Sequence, residues 1–168
     1  RDEISHSIDV NAPVVTAKAS DVLKHKTGIC HAKANLLAAL LRSQRIPTGM
    51  CYQHLTKKED DSEGYCVHCF NAVHVGHRWI KLDARGNNDR VSVAFSLHDP
   101  AIAFINRPQY NEFFWPGIFA NPHRASMNAL EAAKNMEELL KALPDHMLED
   151  PDILEVEAED VRPRSWFW

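Results

Sequence analysis

The chain has 168 residues, 45% hydrophobic and 25% charged, with a formal net charge of -4; these proportions suit one compact soluble domain rather than a disordered or membrane class. Eight of the 23 acidic residues fall between Asp145 and Asp160, where no Lys or Arg stands. The rest is mildly basic, with charge too dispersed for a nucleic-acid footprint. The longest apolar stretch, around Leu36 to Leu41, is far short of the ~20 residues that cross a bilayer, and the start carries no signal-peptide pattern. Four cysteines, with Cys30 alone and Cys51, Cys66 and Cys69 loosely grouped, do not form the dense framework of a small secreted domain, so a reducing, cytoplasmic setting is expected. The opening residue, Arg1, leaves room for a segment upstream.

In chain order, Thr16 to Gly28 reads as a short helix and a loop. From Ile29 to Arg45 the apolar residues Ala32, Leu36, Leu37, Leu40 and Leu41 recur at helical spacing in an Ala/Leu-rich run without Gly or Pro, which predicts the longest helix. Thr27 is the expected N-cap and Pro47 the stop signal. Gly49 to Thr56, Tyr65 to Val75 and Arg78 to Ala84 are rich in aromatic and branched residues, and only Gly76 and His77 separate the last two, so the three form an antiparallel meander. Val91 to Phe95 is a candidate further strand. Leu97 to Gly117 is expected to wrap the core irregularly, with a helical piece near Ala101. Leu130, Ala133, Met136, Leu140 and Leu143 predict a second long helix over Met127 to Leu143, capped by Ser126 or Asn128 and closed by Pro144. One domain over residues 1–144 and an acidic extension over residues 145–168, ending in the packing anchor Trp166, Phe167 and Trp168, complete the layout.

Cys30 falls in the first turn of its helix, where the macrodipole and unpaired backbone N–H groups favour thiolate over thiol. A nucleophile there needs a base and a carboxylate to orient it. With Gly76 and His77 as the turn, hairpin positions that sum to 153 oppose each other, which puts His68 and Asp83 on one face as diagonal neighbours about 7 to 8 Å apart. His74 shares that face but lies roughly 13 Å from Asp83's opposite number at ~3.3 Å per residue, so His68 is the better base. A zinc reading of Cys66, His68, Cys69, His74 and His77 is weaker, because Cys69 points away from the others and no second Cys-x-x-Cys pair exists; neither a metal nor another cofactor is expected. His31 projects about 100° from Cys30 around the helix, toward the surface or rim. Lys33 and Asn35, on the first turns, suit either a solvated or a substrate-contacting role.

Gly28-Ile29-Cys30 at a helix start, Arg42 to Pro47 at its end, the His68 strand and Trp79-Ile80-Lys81-Leu82-Asp83 together resemble the core of the transglutaminase-like superfamily, over about residues 1–100. The resemblance implies an α+β, papain-like fold in which a long helix bearing the nucleophilic cysteine packs on an antiparallel sheet, followed by a C-terminal helix. It implies Cys30 as nucleophile, His68 as base and Asp83 as orienting carboxylate. Tyr52-Gln53, Asn71-Ala72-Val73 and Asp83-Ala84-Arg85-Gly86-Asn87 are similar to the bacterial transglutaminase-like cysteine peptidases of that superfamily. Two positions depart from the pattern: Phe70 stands where a Trp is usual, and Gln44-Arg45 replace a small residue and a glycine before Ile46-Pro47.

The expected activity is thiol-dependent acyl transfer at an amide or thioester carbonyl of a peptide, protein or small molecule, through an acyl-enzyme on Cys30. The backbone N–H of Cys30 is one oxyanion donor, and Gln53 or Asn71 is the candidate second. Hydrolysis by a peptidase or amidase is preferred on the peptidase-like resemblance and on a chain too short for the extra domains of tissue cross-linkers. Transfer to an amine by a transglutaminase or amide-forming acyltransferase runs on the same triad, and an idle or zinc-stabilised binding module is the alternative from another class.

Overall fold

The computed structural model describes residues 1–147; the expected acidic extension and its closing aromatics, beyond Met147, lie outside the described residues. The framework is a long helix, α2 (Cys30–Ser43), laid against a four-stranded antiparallel sheet. Before it come β1 (Ser5–His6), α1 (Ala19–His25) and β2 (Thr27–Gly28). The sheet is built from β3 (Thr48–Thr56), β4 (Tyr65–Val75), β5 (Arg78–Leu82) and β6 (Phe113–Phe114), in the order β5-β4-β3-β6. Two helices, α3 (Arg124–Ala132) and α4 (Met136–Ala142), close the described chain. This is an α+β architecture, with the cysteine helix packed on an antiparallel sheet as the resemblance implies.

Small side chains on α2 set its distance from the sheet. Ala34 and Ala38, four residues apart and so on one helix face, meet Met50, Tyr52, Val67 and Cys69. A second face, Ala32 with Leu36, packs on Ile4 and Val22. The opposite side of the sheet has its own core of Cys51, Phe70 and Ala72 with Trp79, Ile102 and Ile118. The β4–β5 hairpin has the expected register: Asn71 faces Leu82 and His74 faces Trp79. Gly76 and His77 both have positive φ (59° and 67°), as a two-residue turn matched to strand twist requires. Gly49 is needed for a different reason, since a Cβ there would run into Ile118, whose neighbour Phe119 exchanges backbone hydrogen bonds with Met50.

Several local expectations are corrected. The long C-terminal helix is two helices: Ala133 is extended, and Asn135 restarts the chain by accepting the Glu138 N–H at 2.9 Å, while Glu138 accepts the Lys134 N–H at 3.0 Å. This reciprocal cap outweighs the continuous apolar spacing across it. The first of the pair begins at His123 rather than at a Ser126 or Asn128 cap, because the Ser126 hydroxyl bonds the His123 ring. Thr27 does not cap α2. It pairs in parallel with Ser5, its hydroxyl bonds that of Ser7, and Ile29 becomes an N-cap with no side-chain acceptor. Val91 to Phe95 forms only a bridge from Ala94 to Ala101, and the helical piece is a 3-10 turn at Pro108–Tyr110 rather than near Ala101. Among the described residues no helix is long and apolar enough to cross a membrane.

Candidate active site

Cys30 is the first residue of α2 and is half-buried. Because Ile29 offers no side chain to the first turn, the leading N–H groups of a 14-residue helix stay unpaired beside that sulphur. His68 comes from the middle of β4 opposite Gln53 of β3. Asp83 follows β5 directly. The hairpin register carries it back to His68, and the His68 Nε2 to Asp83 Oδ2 distance is 2.9 Å, with side-chain exposures of 4% and 0%. The Cys30 sulphur acts on the same imidazole and, like Asp83, favours its cation.

Asp83 is held on three sides. Beyond His68, its Oδ2 accepts the Ala103 N–H at 3.0 Å and its Oδ1 accepts the Arg85 N–H at 2.8 Å. Only the backbone of Arg85 takes part, since its guanidinium makes a bidentate pair with Asp9 at 2.7 Å for both bonds. Asp83 is therefore free of the ion pair that a turn-flanking carboxylate would make with a neighbouring arginine. Burial opposes its charge, but the His68 imidazole and the two backbone donors hold the carboxyl below the usual range.

The same competition runs through the other two groups. Burial disfavours imidazolium at His68, yet the Asp83 carboxylate and the Cys30 sulphur push its pKa up to about 10. Burial also disfavours thiolate at Cys30, yet the charges of His31 and His68 and hydrogen bonds from His6 and His68 hold the thiol well below its ordinary value. Both shifts favour a thiolate–imidazolium pair. The remaining cysteines go the other way: burial pushes Cys51 up to about 12, Cys66 up to about 11, and Cys69 well above the ordinary thiol. One of four thiols is thus set apart by its lowered pKa.

The nominated amides are otherwise employed. Gln53 Nε2 donates to the Phe104 carbonyl at 3.1 Å and to Asn106 at 2.8 Å. Asn71 Nδ2 donates to the carbonyls of Ala34 and Gly49 at 3.2 and 3.3 Å, tying helix to sheet. Both amides hold the frame, and neither donor is left for an oxyanion. His31 is not at the rim. It is buried, with Nε2 3.1 Å from the Val67 carbonyl and its ring 6.1 Å from Tyr52. Lys33 is likewise buried, bonding the carbonyls of Ile4 and Arg85 and so clamping the N-terminal segment to the loop after Asp83. Asn35 Nδ2 lies 3.0 Å from Met127 Sδ.

His74 packs on Trp79, with ring centroids 5.3 Å apart, away from the thiol. The Cys69 sulphur interacts with Tyr52. Among the described residues no three His, Cys, Asp or Glu side chains gather in a metal-binding group. Two contributors had no mark in the sequence. One is the Ala103–Phe104 segment, which supplies an N–H to Asp83 and an edge-on ring 5.0 Å from His68. The other is His6, whose two-residue parallel strand pairs it with Gly28, two positions before Cys30. A strand that short has no periodicity to read.

No curated protein matches the chain, and neither does any solved structure. The family model of the transglutaminase-like superfamily matches residues 1–84, which contain Cys30, His68 and Asp83. Half of the sequence, including all of the helix and hairpin that carry this site, is thereby accounted for, and the chain belongs to the transglutaminase-like superfamily.

Proposed function

We propose that the protein is a thiol acyl-transfer enzyme that hydrolyses an amide of a peptide, protein or small molecule through an acyl-enzyme on Cys30. The observation that carries this reading is the buried imidazole of His68, bonded to Asp83 at 2.9 Å and electrostatically coupled to the Cys30 sulphur. The Cys30 thiolate attacks the carbonyl carbon, forming a C–S bond as the carbonyl electron pair moves to oxygen. Collapse of that adduct breaks the C–N bond, and His68 as imidazolium gives its proton to the departing amine. His68, now neutral, takes a proton from water, which attacks the thioester and releases the acid and the thiolate. Asp83 keeps the ring in one tautomer and orientation and stabilises its cation throughout.

Peptide hydrolysis, rather than transfer to an amine, is supported by the likeness of Asp83-Ala84-Arg85-Gly86-Asn87 and its companions to the peptidase-like branch. Incubation with a glutamine-peptide library, with and without an added primary amine, followed by mass spectrometry of intact protein and peptides, separates the two outcomes. The expected result is an acyl adduct on Cys30 and conversion of peptide amide to carboxylate whether or not amine is present. Amine-capped peptide as the main product would convert the reading to a transferase. An adduct that survives Cys30→Ala would end it.

A further inference from the structure

Attack on a carbonyl by Cys30 leaves a negative oxygen one atom away from the sulphur, and stabilising it takes two positioned donors. The unpaired N–H at the tip of α2 is one. The amides of Gln53 and Asn71 are committed to the frame. A second imidazole, that of His6, is brought to the tip of α2 by the pairing of His6 with Gly28, two positions before Cys30, and acts on the sulphur from there.

His6 differs from His68 in what lies behind it. No carboxylate is hydrogen-bonded to the ring, and its Nδ1 is buried without a hydrogen-bond partner, a cost that native folds seldom carry idly. The residue is 7% exposed. Its backbone is held firmly for so short a strand: Ser5 N–H donates to the Lys26 carbonyl at 3.0 Å, Ser7 N–H to the Gly28 carbonyl at 3.1 Å, and Lys33 grips the Ile4 carbonyl. A parallel ladder of two residues buries little of its own, so what it accomplishes is to fix one ring against the nucleophile.

Resting on the acyl-transfer reading above, we infer that His6 is a further catalytic residue, donating its ring N–H to the oxyanion formed on the Cys30 adduct. Two imidazoles then divide the work around one sulphur. His68, backed by Asp83, moves protons between thiol, leaving group and water. His6, which has no hydrogen-bonded carboxylate behind it comparable to Asp83, gives a hydrogen bond without relaying a proton. In the ground state that N–H rests on the thiolate; on attack, as charge leaves sulphur for oxygen, it shifts to the oxygen.

The test compares two reactions of the same sulphur in the full chain: acylation by p-nitrophenyl acetate, which passes through an oxyanion, and alkylation by iodoacetamide, which does not. Alkylation is read at its high-pH plateau, where the thiol is fully ionised. His6→Phe keeps an aromatic ring and removes the donor; His6→Gln returns an N–H. Acylation is expected to fall by about 10²–10³-fold in His6→Phe, the range for loss of one oxyanion donor, with the alkylation plateau unchanged and with acylation largely restored in His6→Gln. Should His6→Phe not fold, as read by circular dichroism, His6→Ala carries the same comparison. Equal losses in both reactions would overturn the inference, since His6 would then act on the sulphur alone; so would wild-type acylation in His6→Phe, or no recovery in His6→Gln. If wild type and Cys30→Ala release p-nitrophenolate alike, the nucleophile itself is misassigned, a failure distinct from any result with the His6 variants.

Discussion

Two buried carboxylates sit at opposite ends of the sheet and are held in nearly the same way. Asp83, past β5, accepts backbone N–H groups from Ala103 and Arg85. Glu112, just before β6, accepts backbone N–H groups from Thr56 and Arg107 at 3.0 and 2.8 Å. The third partner separates them. Asp83 faces an imidazole, whereas Glu112 faces the Arg107 guanidinium at 2.8 Å and the Thr56 hydroxyl at 2.8 Å. Burial works against charge on Glu112, but Arg107 and Thr56 together bring its pKa down to about 2. A guanidinium does not give up its proton in proteins, so the Glu112 cluster is a static lock joining β3, the 3-10 turn and β6. An imidazole does, so the same carboxylate architecture at Asp83 supports proton traffic. The titratability of the partner, not burial or charge, distinguishes the two carboxylates.

The largest effects should fall on the first cluster. Cys30→Ala and His68→Ala are expected to abolish turnover on any substrate found by the peptide assay, and His74→Ala to retain most of it, because His74 packs on Trp79 and not on the thiol. Asp83→Asn should leave the circular-dichroism spectrum unchanged while lowering kcat by about 10⁴-fold, as loss of an orienting carboxylate does in serine-protease triads. A variant that loses activity at His74 as fully as at His68 would show the wrong base to have been chosen.

Thiol reactivity sharpens the contrast within one experiment. Iodoacetamide near neutral pH should label Cys30 and spare Cys51, Cys66 and Cys69, whose thiols are pushed up to about 12, up to about 11 and well above the ordinary value. Peptide mapping reads this directly. The fold favours imidazolium at His68, raised from 6.5 to about 10. The stability it contributes is therefore complete below the ordinary imidazole pKa and is lost as pH rises through about 10. Denaturant titrations of wild type and His68→Gln should converge over that interval.

The Glu112 lock should respond in stability and not in chemistry. Glu112→Gln is expected to cost about 1.5–3 kcal/mol, the range for hydrogen bonds to a charged group, with turnover intact wherever the protein stays folded. Here the sign of the pH dependence reverses. The depressed pKa means that the contribution is present above the ordinary carboxyl value of 4.5 and disappears as pH falls through about 2. Acid unfolding curves of the two proteins should merge at the low end, and a kcat loss matching that of Asp83→Asn would erase the distinction between lock and site.

Most of the placement of Cys30, His68 and Asp83 was legible because it rests on two strong local signals, an Ala/Leu helix that begins at Cys30 and a hairpin whose two-residue turn sets the register of His68 and Asp83. What escaped was held by contacts distant in sequence and carried by segments too short to show a period: the β1–β2 ladder with His6, the two-residue β6, and the Ala103 N–H on Asp83. Gln53 and Asn71 were misread for a related reason. Their strand positions are correct, but the carbonyls of Ala34 and Phe104 that absorb their donors come from elsewhere in the chain. The break between α3 and α4 was readable in principle from Asn135 and Glu138, and was masked by apolar residues that keep helical spacing on both sides.

The smallest effect concerns a family position that the sequence fills unusually. At the end of α2, Ile46 N–H bonds the Leu41 carbonyl at 3.0 Å and Arg45 N–H bonds the Arg42 carbonyl at 2.9 Å, the paired bonds of a helix terminus that turns through a left-handed residue. That residue is Arg45, with φ of 62°, at the position where the superfamily pattern has glycine. A left-handed conformation costs a side-chain-bearing residue roughly 1–2 kcal/mol, and a glycine gives back roughly 0.4–1 kcal/mol of that through the greater freedom of its unfolded chain. Arg45→Gly is thus expected to stabilise the protein by about 0.5–1 kcal/mol, a rise of roughly 1–4 °C in Tm at this chain length. Arg45 lies at the opposite end of α2 from Cys30, so kcat and the alkylation profile should not move. A fall in Tm would show that the Arg45 side chain stabilises the terminus by more than its backbone strains it, and that the departure from glycine has a structural use.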